Sequence, residues 1–105
     1  MPNTLPENKH CELICGDALT ELKKIENESI DCIVTSPPYF NLRDFNVAGQ
    51  IGRESTLQEY MEKIFSITLE LKRILKNTGT FWRNLGDSYS KKSMIGVPWR
   101  IALEM

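Results

Sequence analysis

The run Ile30-Asp31-Cys32-Ile33-Val34 passes directly into Thr35-Ser36-Pro37-Pro38-Tyr39-Phe40. Its β-branched apolar residues predict a strand, and Ile30, Cys32, Ile33 and Val34 together predict burial on both faces, as in a parallel sheet. Two prolines then end the strand, because each fixes φ and removes a ladder donor. In open α/β sheets the crevice beyond the carboxyl ends of the strands is where ligands bind. Pro37 and Pro38 stiffen the loop there, and the carbonyls of Ser36 and Pro37 are left to accept hydrogen bonds. A Pro-Pro pair alone marks only a stiff turn, so its surroundings decide the reading.

Those surroundings repeat one pattern of strand, polar turn and helix. Cys11-Glu12-Leu13-Ile14-Cys15 is a predicted strand ended by Gly16-Asp17, and Ala18 to Ile25 follows with apolar residues at helical spacing. Asp17 thus stands at a predicted helix start, where it suits an N-cap. Asn41 to Thr56 has no clear period and reads as a long loop. Its Arg43 and Arg53 read first as solvated charges. Thr56 with Glu59 then forms a capping box, and the apolar residues from Leu57 to Leu75 recur at spacings of three and four down to Lys76. Asn77-Thr78-Gly79 is expected to close that helix with a left-handed glycine.

Thr80 to Leu85 is the third predicted strand, and Gly86-Asp87-Ser88-Tyr89 ends it as Gly16-Asp17 ended the first. Asn84 and Asp87 read as turn-capping residues, and Trp82 and Trp99 as core. Ser90-Lys91-Lys92-Ser93 is a short basic loop. Gly96-Val97-Pro98-Trp99 opens a last short helix, with proline where its missing N–H costs nothing.

With 105 residues the chain is at most one small domain. Residues 1–10 read as a flexible arm and residues 11–105 as the folded part. No apolar run reaches the roughly 18 residues of a membrane span, and no secretory signal is seen, so a cytoplasmic protein without a membrane partner is expected. Cys11, Cys15 and Cys32 read as reduced, buried thiols, and no metal is expected. A net charge of −1 gives no broad basic footprint for nucleic acid.

Taken together, Gly16-Asp17-Ala18-Leu19, Ser29 to Tyr39, Asn84 to Tyr89 and Gly96 to Arg100 resemble the opening portion of amino-group DNA methyltransferases of the Thr-Ser-Pro-Pro-Tyr type. The resemblance implies an α/β, Rossmann-like S-adenosylmethionine-dependent methyltransferase fold, seen here as a partial domain with a three-stranded parallel sheet core and flanking helices. It further implies methyl transfer from S-adenosyl-L-methionine to an exocyclic amino group of a base in double-stranded DNA, cytosine before adenine. Ser36, Pro37, Pro38 and Tyr39 are the implied catalytic segment. Asp17, with Ser36, is the implied cofactor contact, and Gly52, Leu57 and Tyr60 lie near the adenine pocket in that family.

An exocyclic amino group is a weak nucleophile because its lone pair is conjugated into the ring. Acceptors at the Ser36 hydroxyl and the Pro37 carbonyl are suited to draw its hydrogens out of plane, while Tyr39 stacks on an extruded base. Tyr39 and Phe40 also read as rings covering a sheet edge. Alternatives are an RNA or protein amide methyltransferase fragment, against which Ser36 in place of asparagine argues, and a non-catalytic interaction fragment presenting a polyproline ligand. The glycine-rich strand end and target-recognition region of the family have no counterpart in the sequence. These residues alone are therefore expected to be inactive and to self-associate, up to a homodimer, through an open sheet edge or the exposed apolar side of the long helix.

Overall fold

The computed structural model describes residues 10–105, so the predicted arm up to Lys9 lies outside the described residues. Its organising unit is a strand, a helix and a second strand. β1 (Ile30–Thr35) leads through the loop of residues 36–56 into α2 (Leu57–Ile74), and β2 (Leu75–Arg83) returns parallel to β1. Ahead of this unit lies α1 (Ala18–Leu22). After it come a small hairpin, β3 (Tyr89–Ser90) with β4 (Ser93–Met94), and α3 (Val97–Glu104).

α2 begins where its capping signal stands, with Thr56 Oγ1 accepting from the Glu59 N–H at 3.2 Å. Its stripe of Tyr60, Met61, Ile64, Thr68, Leu71 and Ile74 is buried. α3 presents Val97 and Ile101, one turn apart, to Tyr60, Met61 and Ile64, and this cluster is the core. Gly96 takes a left-handed φ of 79° at the start of α3, and Pro98 sits in its first turn.

Between α2 and β2 there is no turn. The register passes from Ile30 opposite Leu75 to Cys32 opposite Thr80, so Asp31 faces the four residues Lys76 to Gly79 in one wide bulge. The expected left-handed closure at Gly79 is therefore corrected. Glycine is needed there by contact, since a Cβ would lie 2.6 Å from Leu75 Cδ1 and 2.9 Å from the Asp31 carbonyl.

The expected three-stranded sheet has two parallel strands. Residues 11–15 form no strand, and Leu13 is 94% exposed. An extended segment without a ladder partner or an apolar cover has nothing to hold it. Among the described residues the strand pair is covered on one face only. Val34 and Trp82 are register partners on the other face, 78% and 64% exposed, which corrects both the doubly buried β1 and the core placement of Trp82. Cys32 shares that open face, and all three cysteines are free and exposed rather than buried. Trp99 lies two residues from Val97, around α3 from its buried stripe, and is 72% exposed instead of core.

Candidate active site

The carboxyl ends of β1 and β2 lie together, with Thr35 opposite Arg83 and the Asn84 N–H donating to the Thr35 carbonyl at 3.0 Å. The Thr-Ser-Pro-Pro-Tyr-Phe loop leaves from that point and is fastened at four backbone atoms. The Thr35 carbonyl is held by Asn84. Tyr60 Oη donates to the Pro38 carbonyl at 2.8 Å, Ser88 Oγ donates to the Phe40 carbonyl, and the Asn41 N–H donates to the Gly52 carbonyl at 2.7 Å. Between these fastenings no described residue donates to the carbonyls of Ser36 or Pro37, nor to the Ser36 hydroxyl.

Tyr39 and Phe40, similar in sequence, go to opposite destinations. The Phe40 ring packs on the core, its centroid 5.3 Å from that of Tyr60. Tyr39 stays half-buried, its ring laid against Gly86, where a Cβ would sit 2.5 Å from Tyr39 Cε2. Ser36, Pro37, Pro38 and Tyr39, with Leu42, Arg43 and Phe45, line an open cavity of about 260 Å³.

The loop of residues 41–56 is shaped from beneath. Gly52 is buried with φ 106°, and a Cβ there would lie 2.6 Å from the Tyr39 carbonyl. Its N–H donates to Glu54 Oε2 at 2.8 Å. The Glu54 side chain is 1% exposed, with Oε1 3.3 Å from Lys63 Nζ in an ion pair that lacks hydrogen-bond alignment. Burial, with the Glu54 carboxylate nearby, pushes the Tyr60 phenol up to about 12, so it remains a donor to Pro38 at neutral pH.

Asp17 occupies the α1 N-cap. Its Oδ2 accepts from Thr20 N–H at 3.0 Å and Thr20 Oγ1 at 2.9 Å, and that backbone N–H holds the carboxyl below the usual carboxylate range. Asp17 does not line the Ser36–Tyr39 cavity. α1 is tied to α2 through Arg73, whose guanidinium donates to the carbonyls of Leu22 and Ile25 at 2.9 and 2.8 Å.

Asp87 does cap, though at long range. Partial burial raises its carboxyl, but the N–H groups of Val97, Ser88 and Gly96 outweigh this and leave it lowered. Distances of 3.0 Å to Val97 N and 2.9 Å to Gly96 N place the charge at the start of α3. Arg53 is engaged by Asn41 Oδ1 at 3.1 Å, whereas Arg43 joins no ion pair among the described residues. Two fastening residues, Tyr60 and Ser88, were not predicted for these roles. The helical stripe marked Tyr60 as buried, and a buried phenol needs an acceptor; Ser88 carried no comparable signal.

The family model described as DNA methylase, covering N6 and N4 methyltransferases, matches residues 30–105. The chain belongs to that family. It is 33% identical to the type II methyltransferase M.SmaI of Serratia marcescens, over 92% of this chain and 43% of that one. With M.MwoI of Methanothermobacter wolfeii the identity is 39%, over 90% of this chain and 15% of that protein. Among solved structures, the PvuII DNA methyltransferase (cytosine-N4-specific) superposes with a TM-score of 0.68 at 27% identity, over 86% of this chain and 31% of that one. The chain thus spans less than half the length of each of these relatives. No helix among the described residues is long and apolar enough to cross a membrane.

Proposed function

We propose that these residues carry the base-handling part of an S-adenosylmethionine-dependent DNA amino-methyltransferase, with the 4-amino group of cytosine as the favoured target. The observation that carries the reading is the pattern of fastening around the proline loop. Thr35, Pro38, Phe40 and Asn41 are tied down, while the acceptors of Ser36 and Pro37 stay free at the wall of a cavity that Tyr39 shares.

Rigid acceptors aimed at the place where charge develops are effective because they need no reorganisation during the reaction. Ser36 Oγ and the Pro37 carbonyl accept the two amino hydrogens, which localises the lone pair on nitrogen. Tyr39 covers one face of the extruded base, offsetting part of the unstacking cost. The preference for cytosine rests on the Ser-Pro-Pro-Tyr resemblance and on the cytosine-N4 specificity of the PvuII neighbour.

The donor set also fits the cofactor. Asp17 is an exposed, ionised acceptor whose Oδ1 receives no hydrogen from any described residue, which suits the adenine amino group. Asp17 and Ser36 would hold S-adenosylmethionine, which when bound supplies an electrophilic sulfonium methyl. The protein acts in the cytoplasm on double-stranded DNA, and residues 1–105 by themselves do not complete the site.

In a complete methyltransferase carrying these residues, Ser36→Ala is expected to lower kcat for labelled-methyl transfer to duplex DNA by about 10²-fold or more, the scale of losing one preorganised polar contact. An unchanged kcat with the fold intact would remove Ser36 from the mechanism.

A further inference from the structure

The β3–β4 hairpin carries two lysines in a backbone conformation that lysine does not favour. Tyr89 pairs with Met94 and Ser90 with Ser93, so Lys91-Lys92 is a two-residue turn, with φ of 50° and 66°. Positive φ at both positions is the pattern of a type I′ turn, where Asn-Gly is the favoured pair. Each non-glycine residue held there is strained. Both lysines are exposed and join no ion pair among the described residues. Tyr89 and Met94, the register pair below the turn, are also exposed.

This hairpin grows out of the candidate site. Ser88, whose hydroxyl holds the Phe40 carbonyl, immediately precedes β3, and its own carbonyl accepts from the Ile95 N–H at 2.9 Å where β4 leaves. Lys91 stands three positions after Ser88, a span of at most about 11 Å. Two unpaired charges are therefore held at a short, fixed reach from the proline loop, in a chain whose net charge of −1 offers no broad attraction for a polyanion.

We propose that the Lys91-Lys92 turn is a phosphodiester-binding tip that grips the nucleic-acid backbone next to the base presented to the Ser36–Tyr39 cavity. The inference rests on the reading of that cavity as a DNA amino-methyltransferase site. Such contacts position without reading sequence, and each neutralised phosphate releases counterions. Two lysines account for a salt slope of about two.

The test is fluorescence anisotropy of labelled duplex DNA with the complete methyltransferase carrying these residues, across a series of salt concentrations. The variant Lys91→Asn/Lys92→Gly removes both charges while installing the favoured turn pair, so its thermal stability should match or exceed the parent's. Lys91→Gln/Lys92→Gln provides a second neutral version and Lys91→Arg/Lys92→Arg a charged one. We expect both neutral variants to lose affinity on the order of tenfold per lysine at 0.1 M salt, alike for target and non-target duplexes, with a slope lower by about one per lysine. The arginine variant should keep the parent's slope. A parent that binds and methylates duplex DNA, with neutral variants of unchanged slope, overturns the phosphate tip and leaves the cavity reading standing. A parent that neither binds nor methylates duplex DNA overturns the cavity reading and the tip with it.

Discussion

The hydroxyl of Tyr60 donates to the carbonyl of Pro38 at 2.8 Å, joining the first turn of α2 to the middle of the proline loop. The Tyr60 ring is fully buried, so this is a fixed post rather than a surface contact. Because the Pro38 carbonyl is occupied, the free acceptors of the loop are those of Ser36 and Pro37. Replacing Tyr60 by Phe keeps the ring and deletes the donor. It should lower stability by about 1 kcal/mol, the usual net worth of such a bond, read as a lower urea midpoint at unchanged m. In a complete enzyme it should also lower kcat, since the loop loses one of its four fastenings.

The same phenol predicts how stability responds to alkali. Burial raises it to about 12 in the fold, against an ordinary value near 10. The unfolded chain therefore releases this proton first, and above pH 10 it binds fewer protons than the native state. Stability is then lost as pH rises from 10 to about 12. Urea titrations across that window should show the decline, and Tyr60→Phe should remove this part of it.

Gly86 and Gly52 bound Tyr39 on two sides. Gly86→Ala puts a methyl group where the Tyr39 ring lies, and the ring must turn away from its present place. Gly52→Ala meets the Tyr39 carbonyl and is strained at φ 106° as well, a cost of roughly 1–3 kcal/mol. Gly86→Ala should therefore reduce methyl transfer more than stability, whereas Gly52→Ala should reduce both. Chemical denaturation and labelled-methyl assays on the two variants separate the effects.

Val34 and Trp82 form an apolar pair on the open face of the sheet. The 105-residue chain on its own is expected to self-associate through that face. Sedimentation equilibrium should give a mass above 12.1 kDa that rises with concentration, and Trp82→Glu should shift the chain toward monomer. A parent that stays monomeric at high micromolar concentration would contradict this.

How far the sequence was readable follows from which signals were local. Thr56 with Glu59, and Gly96 with Pro98, are helix signals contained in a few residues, and both helices begin there. The strand ended by Pro37 and Pro38 was legible for the same reason. Signals that depend on cover misled. Leu13, Cys32, Trp82 and Trp99 have core-like side chains, but each sits on a segment or face that the described residues leave exposed. Asn77-Thr78-Gly79 has the local composition of a helix stop, but the pairing of β1 with β2 places it in a bulge. In the site, the roles of Asp87 and Ser88 depend on contacts 9 and 48 residues away, beyond the reach of any local pattern.

The most direct test of the central claim is single-turnover methyl transfer by a complete enzyme bearing Tyr39→Ala, measured with the target base properly paired and again in a mismatch. Stacking on an aromatic ring is worth about 1–3 kcal/mol per base, so transfer to the paired target should fall by roughly 5- to 150-fold. A mismatched base costs less to extrude, so the mismatch should restore much of the lost rate. An unchanged rate on the paired duplex, with the fold intact, would contradict the assignment of the Ser36–Tyr39 cavity as the place where the base is held.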